Sequence, residues 1–272
     1  MSERNLKVQV REHWDKESCG AGIAVSTKFS RQYFEEIEGY RYSMEPEIFS
    51  FAQFTRFRDQ KILEVGIGAG TDFIQWVRAG AKAHGIDLTK EAVEHARKRL
   101  DIYGLKAEGL SVADTENLPY SDNTFDLVYS WGVIHHTPDT IRALEEILRV
   151  TRIGGEIKIM VYNRRSLSAL YRYLRFSLLR GKPFRSISWI LYHHTESIGT
   201  KAFTVREVRN ILANYPVRIK DICARVTEHE LLWNKPFPLR AGAYILAGLL
   251  GFDKAGWFMT IELEKTDALD NG

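Results

Sequence analysis

The amino-acid sequence predicts an α/β fold built on an open, doubly wound sheet. Short apolar runs alternate with amphipathic stretches between residues 61 and 163, a glycine-rich turn directly follows the first apolar run, and two more alternating runs occur after residue 203. Strands buried on both faces of a parallel sheet are apolar throughout, and the helices that connect them carry one apolar face. The pattern is therefore typical of repeated strand–helix–strand units.

Each element can be assigned in chain order. The predicted strands cover residues 61–66, 81–87, 125–130, 156–162, 217–226 and 258–264, and a further strand-like run ends near Asp114. The predicted helices between them cover residues 72–78, 91–100 and 140–150. Thr204 can cap another helix through Leu212. The strands after residue 203 are expected to extend the same sheet.

Two segments depart from this alternation. Residues 1–60 contain apolar positions at helical spacing, such as Phe29 and Phe34, and are predicted to form a helical lid. Residues 164–203 are basic and aromatic, and Ser166 can begin a helix there that Gly181 ends. The predicted parts are a lid over 1–60, a ligand-binding core over 61–163, an inserted cap over 164–203 and the C-terminal part of the sheet over 204–272.

The composition excludes several classes of protein. Hydrophobic residues make up 44% and charged residues 27% of the 272 residues, which is a globular rather than a disordered mixture. Cys19 and Cys223 are far apart and lack metal-ligand spacing, which argues against a disulfide scaffold and a zinc site. No signal-peptide pattern is present, and the longest apolar stretch, residues 241–252, is shorter than the roughly 20 residues that span a bilayer. We therefore expect a cytoplasmic protein.

Positive charge is concentrated in one segment. The formal net charge is +3, yet residues 157–195 contain eight Lys or Arg residues and no Asp or Glu. A cap helix with its arginines in water explains this pattern, and so does contact with an anionic acceptor or with lipid headgroups. Peripheral membrane contact through residues 164–192 is therefore an alternative. Nucleic acid is the least favoured partner, because no recognised nucleic-acid-binding module is present.

The turn Glu64-Val-Gly-Ile-Gly-Ala-Gly70 is the first candidate ligand site. Gly66 and Gly68 allow a sharp turn and let a ligand contact the backbone. The spacing differs from the G-x-G-x-x-G of dinucleotide-binding proteins, because Thr71 stands where the third glycine would be. Glu64 would repel a diphosphate and suits a cationic ligand. A plain strand-to-helix turn is the alternative.

Carboxylates follow the next two strands. Asp87 closes the second strand, where it can accept hydrogen bonds from both hydroxyls of a ribose. Asp114 ends the third strand-like run, where it can accept one from the exocyclic amine of adenine. Taken alone, Asp87 could instead cap the following helix. Because ligands of open α/β sheets bind at the carboxyl ends of the strands, the two aspartates indicate an adenosine site.

Five motifs occur in order along the chain. They are EVGIGAG at 64–70, GID at 85–87, AD at 113–114 with NLP at 117–119, FDLVYSWGVIHH at 125–136 and LRVTRIGG at 148–155. Together they resemble the class I S-adenosylmethionine-dependent methyltransferases, in particular the methyltransferase type 11 group related to quinone and sterol C-methyltransferases. The resemblance covers about residues 61–163 and departs from many relatives at Ile153, where they have proline. The opening VREHW at 10–14, with Cys19 and Gly20, also looks like members of this group whose acceptor is not generally assigned.

The resemblance implies a Rossmann-like, mostly parallel seven-stranded sheet with an antiparallel last strand and a helical cap. It implies S-adenosyl-L-methionine as the cofactor, with Asp87 on the ribose, Leu88 against the adenine and the Ser130 carbonyl on the methionine ammonium. The residues that it assigns to the cofactor are Glu64, Gly66, Gly68, Gly70, Asp87, Leu88, Asp114, Thr115, Ser130, Trp131 and Gly132.

Candidate catalytic and acceptor-binding residues are fewer. His135 and His136 follow the fourth strand, where an imidazole can orient or deprotonate an acceptor. Structural packing is the alternative, and a metal site is disfavoured because no third ligand is near in the sequence. His193 and His194 are expected at the surface. The candidate acceptor-binding residues are Trp14, Tyr33, Tyr42, Tyr162 and Arg164.

Three functions stay open at this point. The leading one is in-line methyl transfer to a small-molecule acceptor at O, N or C, for which positioning is the main requirement of the protein. The second is methyl transfer to a lipid or isoprenoid acceptor at a membrane surface. The third is a cofactor-binding regulatory protein without catalysis. Residues 1–60 and about 164–200 are expected to close over the cofactor, and the oligomeric state stays open.

Overall fold

A computed structural model describes residues 3–16, 21–228, 230–232 and 236–269. Its strands are β1 (Lys61–Val65), β2 (Lys82–Asp87), β3 (Gly109–Val112), β4 (Phe125–Trp131), β5 (Thr151–Tyr162), β6 (Val217–Cys223) and β7 (Phe258–Lys265). They form one sheet in the order β3-β2-β1-β4-β5-β7-β6. Strands β1 to β5 pair in parallel, and β7 pairs antiparallel with both of its neighbours. The expected seven-stranded sheet with an antiparallel last strand is confirmed.

The helices surround this sheet. They are α1 (Glu3–Lys16), α2 (Arg31–Met44), α3 (Glu47–Ala52), α4 (Thr71–Arg78), α5 (Lys90–Tyr103), α6 (Thr140–Val150), α7 (Leu167–Phe176), α8 (Ile187–His194), α9 (Val205–Leu212) and α10 (Phe237–Leu250). Side-chain N-caps begin several of them, as the sequence indicated for Ser166 and Thr204. Thr204 also forms a reciprocal capping box with Glu207, which fixes the start of α9.

Both faces of the sheet are covered by apolar layers. Leu127 and Tyr129 of β4 pack into the layer that contains Trp76 of α4, whereas Val128 packs into the layer with Ile147 of α6. Successive side chains of a strand point to opposite faces, so the apolar run of β4 supplies both layers. The sheet is therefore doubly wound, and its carboxyl edge is left free to form a cleft.

The structure corrects three element bounds. Strand β6 ends at Cys223 rather than at residue 226, because the Ala224 N–H donates to the carbonyl of Asp253 and leaves the ladder. Strand β5 begins at Thr151, five residues earlier than expected, because Thr151 already pairs with Phe125 across a bulge. Helix α7 ends at Phe176 rather than at Gly181, because a separate 3-10 turn over Leu178–Arg180 follows it, and the cap over 164–203 also contains α8.

The longest apolar stretch of the sequence lies in α10. Only Ala243 and Ala247 of this helix are buried, while most of its large apolar side chains face outward. No helix among the described residues combines the length and the apolar character that a bilayer crossing requires.

Candidate active site

A cavity of about 200 Å³ opens at the carboxyl edge of the sheet. Its walls come from α1 and α2, the turns after β1 and β2, the loop after β3, the segment after β4 and the end of the inserted cap. This is the position at which open α/β sheets bind ligands. Within it lie Glu64, Gly66, Gly68, Asp87, Leu88, Asp114, Thr115, Trp131, Gly132, His136, Tyr162 and Trp14, all of which were candidates from the sequence.

The glycine turn brings the backbone to the cavity wall. Gly66 has a φ of 77°, and a Cβ there would collide with the side chain of Val133. Gly68 donates its N–H to Asp87 Oδ2 at 3.1 Å. Gly70 does not line the cavity; it precedes α4 and packs against Ala96, where a Cβ would lie 3.0 Å from the Ala96 Cα. Its place in the structure is the junction between two helices rather than the ligand wall.

Asp87 is held from two sides. Besides the Gly68 contact, its Oδ1 accepts hydrogen bonds from the Thr89 N–H at 3.0 Å and the Thr89 hydroxyl at 2.9 Å. Thr89, not Asp87, is the N-cap of α5. Burial raises the pKa of Asp87, and the hydrogen bonds from Thr89 and Gly68 oppose this effect. Asp87 is therefore a buried, oriented carboxyl group at the cavity.

Asp114 is joined to the N-terminal helix. Lys7 Nζ donates to Asp114 Oδ2 at 2.7 Å and also bonds Glu116, so α1 closes over this part of the cavity. Burial lowers the pKa of Lys7, but the hydrogen bonds to Asp114 and Glu116 outweigh it and leave a raised pKa. The same lysine thus neutralises part of an acidic loop.

A buried ion pair lies on the opposite wall. Arg41 of α2 binds both carboxylate oxygens of Asp72 in α4, at 2.9 and 2.6 Å. Tyr42 donates to Asp72 Oδ1 at 3.1 Å, and Tyr129 donates to Oδ2 at 3.2 Å. Tyr42 was expected to touch the acceptor, but its hydroxyl instead supports Asp72 and the Thr71 carbonyl, outside the cavity lining.

Two more carboxyl groups share this wall. Glu64 accepts from Trp76 Nε1 at 2.8 Å, and Glu45 accepts from Trp131 Nε1 at 2.5 Å. Burial raises the pKa of Glu64 well above its ordinary range, and the nearby Asp72 raises it further. Burial also raises the pKa of Glu45, although Arg41 opposes the change. The wall therefore contains more carboxyl groups than its single arginine can balance.

The segment after β4 places the two histidines differently. His136 lines the cavity, and its Nδ1 lies 2.9 Å from Ser197 Oγ and 3.1 Å from Thr200 Oγ1. The Thr200 hydroxyl donates its proton to the Ser197 carbonyl at 2.6 Å, so the Thr200 oxygen accepts a hydrogen bond from His136 Nδ1. We therefore assign the Nδ1–H tautomer to His136. Burial lowers the pKa of His136 to about 3, and His13 and Lys201 add to the shift.

His135 is fully buried and lies outside the cavity lining. Neither ring nitrogen has a hydrogen-bond partner among the described residues, and the ring packs 4.0 Å from that of Tyr162. Burial lowers its pKa well below the ordinary value. The structure thus places His135 in packing rather than beside a ligand, because the short 3-10 turn over Ile134–His136 directs the two rings differently.

The inserted cap supplies a carboxylate that the sequence analysis missed. Glu196 lines the cavity, accepts from the Tyr162 hydroxyl at 2.8 Å and lies 3.7 Å from His136 Nε2. Trp14 of α1 packs edge-on against His136, with ring centroids 5.6 Å apart. Glu196 is the first acidic residue after the basic segment, but nothing in its local pattern indicated a contact with Tyr162.

Three remaining candidates lie away from the cavity. Tyr33 bonds His95 Nε2 at 3.0 Å within a buried aromatic cluster, because its face of α2 packs on α5. Arg164 bonds Glu207 and so ties the cap to α9. Ser130 is buried in β4, where its Oγ has no partner among the described residues. His193 is exposed, as expected, and its ring lies beside that of Trp189 with centroids 4.1 Å apart, whereas His194 is half-buried.

The described residues contain no group of three or more His, Cys, Asp and Glu side chains arranged to hold a metal ion. The charged residues of the cavity that the sequence analysis did not single out are Lys7, Arg41, Glu45, Asp72, Glu116 and Glu196. Arg41 and Glu45 are four residues apart on one helix, and this spacing is the feature of the sequence that could have predicted their contact. Their pairing across to Asp72 depends on how α2 packs against α4.

Comparison with known proteins agrees with the site. Residues 63–159 match a family described as a methyltransferase domain. Norajmaline N-methyltransferase of Rauvolfia serpentina is 34% identical over 113 residues, which cover 41% of this chain and 39% of that protein. Demethylmenaquinone methyltransferase of Thermobifida fusca is 27% identical over 128 residues, which cover 47% and 54%. The chain thus spans less than two thirds of the length of either relative.

A solved structure extends the comparison over most of the chain. Geranyl diphosphate C-methyltransferase from Streptomyces coelicolor superposes with a TM-score of 0.63 at 14% identity, covering 96% of this chain and 98% of that one. At this identity the likeness concerns the fold alone. Residues 63–159 thus match a methyltransferase domain, and this stretch contains the glycine turn and the Asp87 and Asp114 carboxyl groups of the cavity.

Proposed function

We propose that the protein transfers a methyl group from S-adenosylmethionine to a small-molecule acceptor bound in this cavity. The observation that carries the proposal is the placement of Asp87, Asp114 and a carboxyl-rich wall around one cavity at the carboxyl edge of the sheet. When bound, S-adenosylmethionine supplies a methyl group already activated on a sulfonium. The residues described below need only hold the two reactants in line and exclude water.

The chemistry of the donor set fits this cofactor. Glu64, Glu45 and Asp72 place three carboxyl groups beside one arginine, and burial raises the pKa of the two glutamates, an effect that Arg41 opposes only in part. A sulfonium and an ammonium are cations that such a wall would stabilise. Gly66 and Gly68 keep the adjoining backbone open to close approach. Asp87 and Asp114 would take the ribose hydroxyls and the adenine amine.

The acceptor end of the cavity is formed by different residues. Trp14, Trp131, Tyr162 and Phe258 supply aromatic walls, and Glu196 supplies a carboxylate. In the assigned tautomer the Nε2 of His136 carries the lone pair, which would accept a hydrogen bond from an O–H or N–H acceptor and so orient it. The carboxylate of Glu196 lies 3.7 Å from that nitrogen and would face the same acceptor group.

The charge of the lining bears on the acceptor class. The carboxyl groups are Glu45, Glu64, Asp72, Asp87, Asp114, Glu116 and Glu196, whereas Lys7 and Arg41 are the cations, apart from the histidine, among the described lining residues, and both are ion-paired. An anionic acceptor would be repelled by this surface. We therefore favour a neutral or cationic acceptor with a hydroxyl or amine group.

The test measures cofactor binding and turnover separately. Isothermal titration with S-adenosylmethionine and its demethylated product should show micromolar-range binding that Asp87→Asn weakens at least tenfold, while Asp101→Asn, a matched change on the exposed end of α5, has no effect. Incubation with cell-extract fractions should then yield S-adenosylhomocysteine. Absence of binding would refute the proposal, and binding without product from any fraction would favour a non-catalytic, cofactor-binding protein.

A lipid or isoprenoid acceptor is the second candidate. It is favoured by one observation, the exposed apolar helix α10 next to the basic helix α7. Product formation from the lipid fraction rather than the aqueous fraction of the extract would select this candidate.

A further inference from the structure

Helix α10 exposes an unusual amount of apolar surface. The side chains of Phe237, Leu239, Ile245 and Leu249 are 77%, 56%, 65% and 80% exposed. Residues 236–252 contain one basic residue, Arg240, and no acidic residue. A helix that is apolar on nearly all sides and exposed to water marks a surface that another apolar medium covers.

Helix α7 and the loop after it continue this surface. Leu167 of α7 packs in one buried cluster with Ala247 of α10, and the Leu167 N–H donates to the Ala255 carbonyl at 3.0 Å, so the two helices adjoin. Leu179 and Phe184 in the following loop are 83% and 100% exposed. We call residues 167–185 and 236–252 together the α7–α10 surface.

Basic side chains accompany the apolar ones on this surface. Among the described residues, no carboxylate forms an ion pair with Arg172, Arg175, Arg180, Lys182 or Arg185. All four arginines lie over aromatic rings instead: Arg172 over Trp257, Arg175 and Arg180 over Phe176, and Arg185 over Trp189 at 3.8 Å. Two acidic side chains of adjoining segments are engaged elsewhere, because Asp253 pairs with Arg225 and Glu230 bonds Thr227 and Ser168.

We propose that the α7–α10 surface docks on the surface of an anionic lipid bilayer. Apolar side chains can enter the boundary between headgroups and acyl chains while the arginines meet lipid phosphates, which is the usual arrangement of interfacial helices. The 14 residues of α10 are fewer than the roughly 20 that a span requires, so the helix lies in the interface. A two-fold dimer through the same surface would instead place its unpaired arginines against one another.

The docking surface adjoins the acceptor end of the cavity, because Arg172 lies over the ring of Trp257, and Trp257 stacks on the cavity residue Tyr162. The chain leaves α8 directly into Glu196, Ser197 and Thr200, which contact Tyr162 and His136. A bilayer held by α7 and α10 would therefore lie next to the segment that closes the cavity. The docking itself does not depend on the proposed methyl transfer.

The test is co-sedimentation of the full chain with vesicles of phosphatidylcholine, with or without phosphatidylglycerol. We expect binding to the anionic vesicles that high salt weakens. The variant Ile245→Gln/Leu249→Gln should lower the partition coefficient by at least about tenfold, because both side chains would leave the apolar phase. Arg175→Gln/Arg180→Gln should lower it by about tenfold through lost attraction to phosphate.

The matched control is Val25→Gln, which removes a 94% exposed apolar side chain from another part of the molecule and should leave binding unchanged. Circular dichroism and cofactor titration check that each variant is folded. Equal binding to neutral and anionic vesicles, or none to either, overturns the proposal. So does a dimer in sedimentation velocity that Ile245→Gln/Leu249→Gln dissociates. Because turnover is not measured, a failure here is distinct from a failure of the proposed function.

Discussion

Lys7 Nζ lies 2.7 Å from Asp114 Oδ2, so the first helix is fastened to the loop that would receive the adenine amine. Both side chains are about one third exposed, and such a pair contributes little to global stability, about 0–1 kcal/mol. Its effect is local. We expect Lys7→Met to increase hydrogen exchange in α1 at least severalfold while the thermal midpoint stays almost unchanged. Unaltered exchange would show that α1 is held by Leu6 and Val10 packing instead.

The Arg41–Asp72 pair predicts a larger, non-additive effect. Removing one member of a buried pair leaves the other charge uncompensated, so Arg41→Met should destabilise the fold by about 3 kcal/mol. Arg41→Met/Asp72→Asn should recover much of this loss. The exposed pair Arg11–Asp15 is the control, and Arg11→Met should cost less than about 1 kcal/mol. Urea denaturation measures these variants together with the single Asp72→Asn, and a loss in the double variant equal to the sum of the two single losses would contradict the prediction.

Glu47 predicts a pH dependence of stability. Burial raises its pKa to about 7, and its Oε1 has no hydrogen-bond partner among the described residues. Because this folded-state pKa exceeds that of the unfolded chain, the folded state holds the extra proton, and stability falls as pH rises from about 4.5 through 7. Glu47→Gln should therefore stabilise the protein at pH 8 by about 1–2 kcal/mol and have little effect at pH 5.

The control for Glu47 is the exposed Glu94, whose change to Gln should be neutral at both pH values. Urea midpoints at pH 5 and pH 8 decide the question. An equal gain at both pH values would show that the substitution acts through packing and not through ionisation.

His136 and Glu196 predict separable effects on catalysis. The His136→Gln variant removes the Nε2 lone pair that would orient the acceptor and should reduce turnover about 100-fold through loss of alignment. Glu196→Gln keeps the contact with Tyr162 but removes the charge beside the imidazole, so a smaller loss is expected. Cofactor affinity should stay within about threefold in both variants. A loss of cofactor binding equal to the loss of turnover would assign these residues to the cofactor instead.

The lowered pKa of His136 adds a stability test. In the folded protein the imidazole of His136 gains its proton only near pH 3, whereas in the unfolded chain it gains the proton near pH 6.5. Stability from this residue is therefore lost as pH falls between those values. The urea midpoint of the His136→Gln variant should therefore fall less between pH 7 and pH 4 than that of the unaltered protein.

Local sequence patterns sufficed for the elements whose residues determine their own surroundings. The apolar run before Gly66, the position of Asp87 at the end of β2 and the caps at Ser166 and Thr204 all follow from near neighbours in the chain. The contacts of Tyr33 and Glu196 do not. An aromatic side chain with a hydroxyl, such as Tyr33, is typical of a binding site, yet the packing of α2 on α5 places this hydroxyl against His95. Glu196 reaches Tyr162 only because the inserted cap folds back across the end of β5.

Strand β7 enters the sheet between β5 and β6, and its first residue, Phe258, also lines the cavity. During synthesis, β5 and β6 therefore cannot join through their shared neighbour until residues 258–265 have emerged from the ribosome and paired with both strands. The nascent protein can assemble β1 to β5 and the glycine turn early. The part of the cavity wall that Phe258 supplies can form only after β7 has been synthesised.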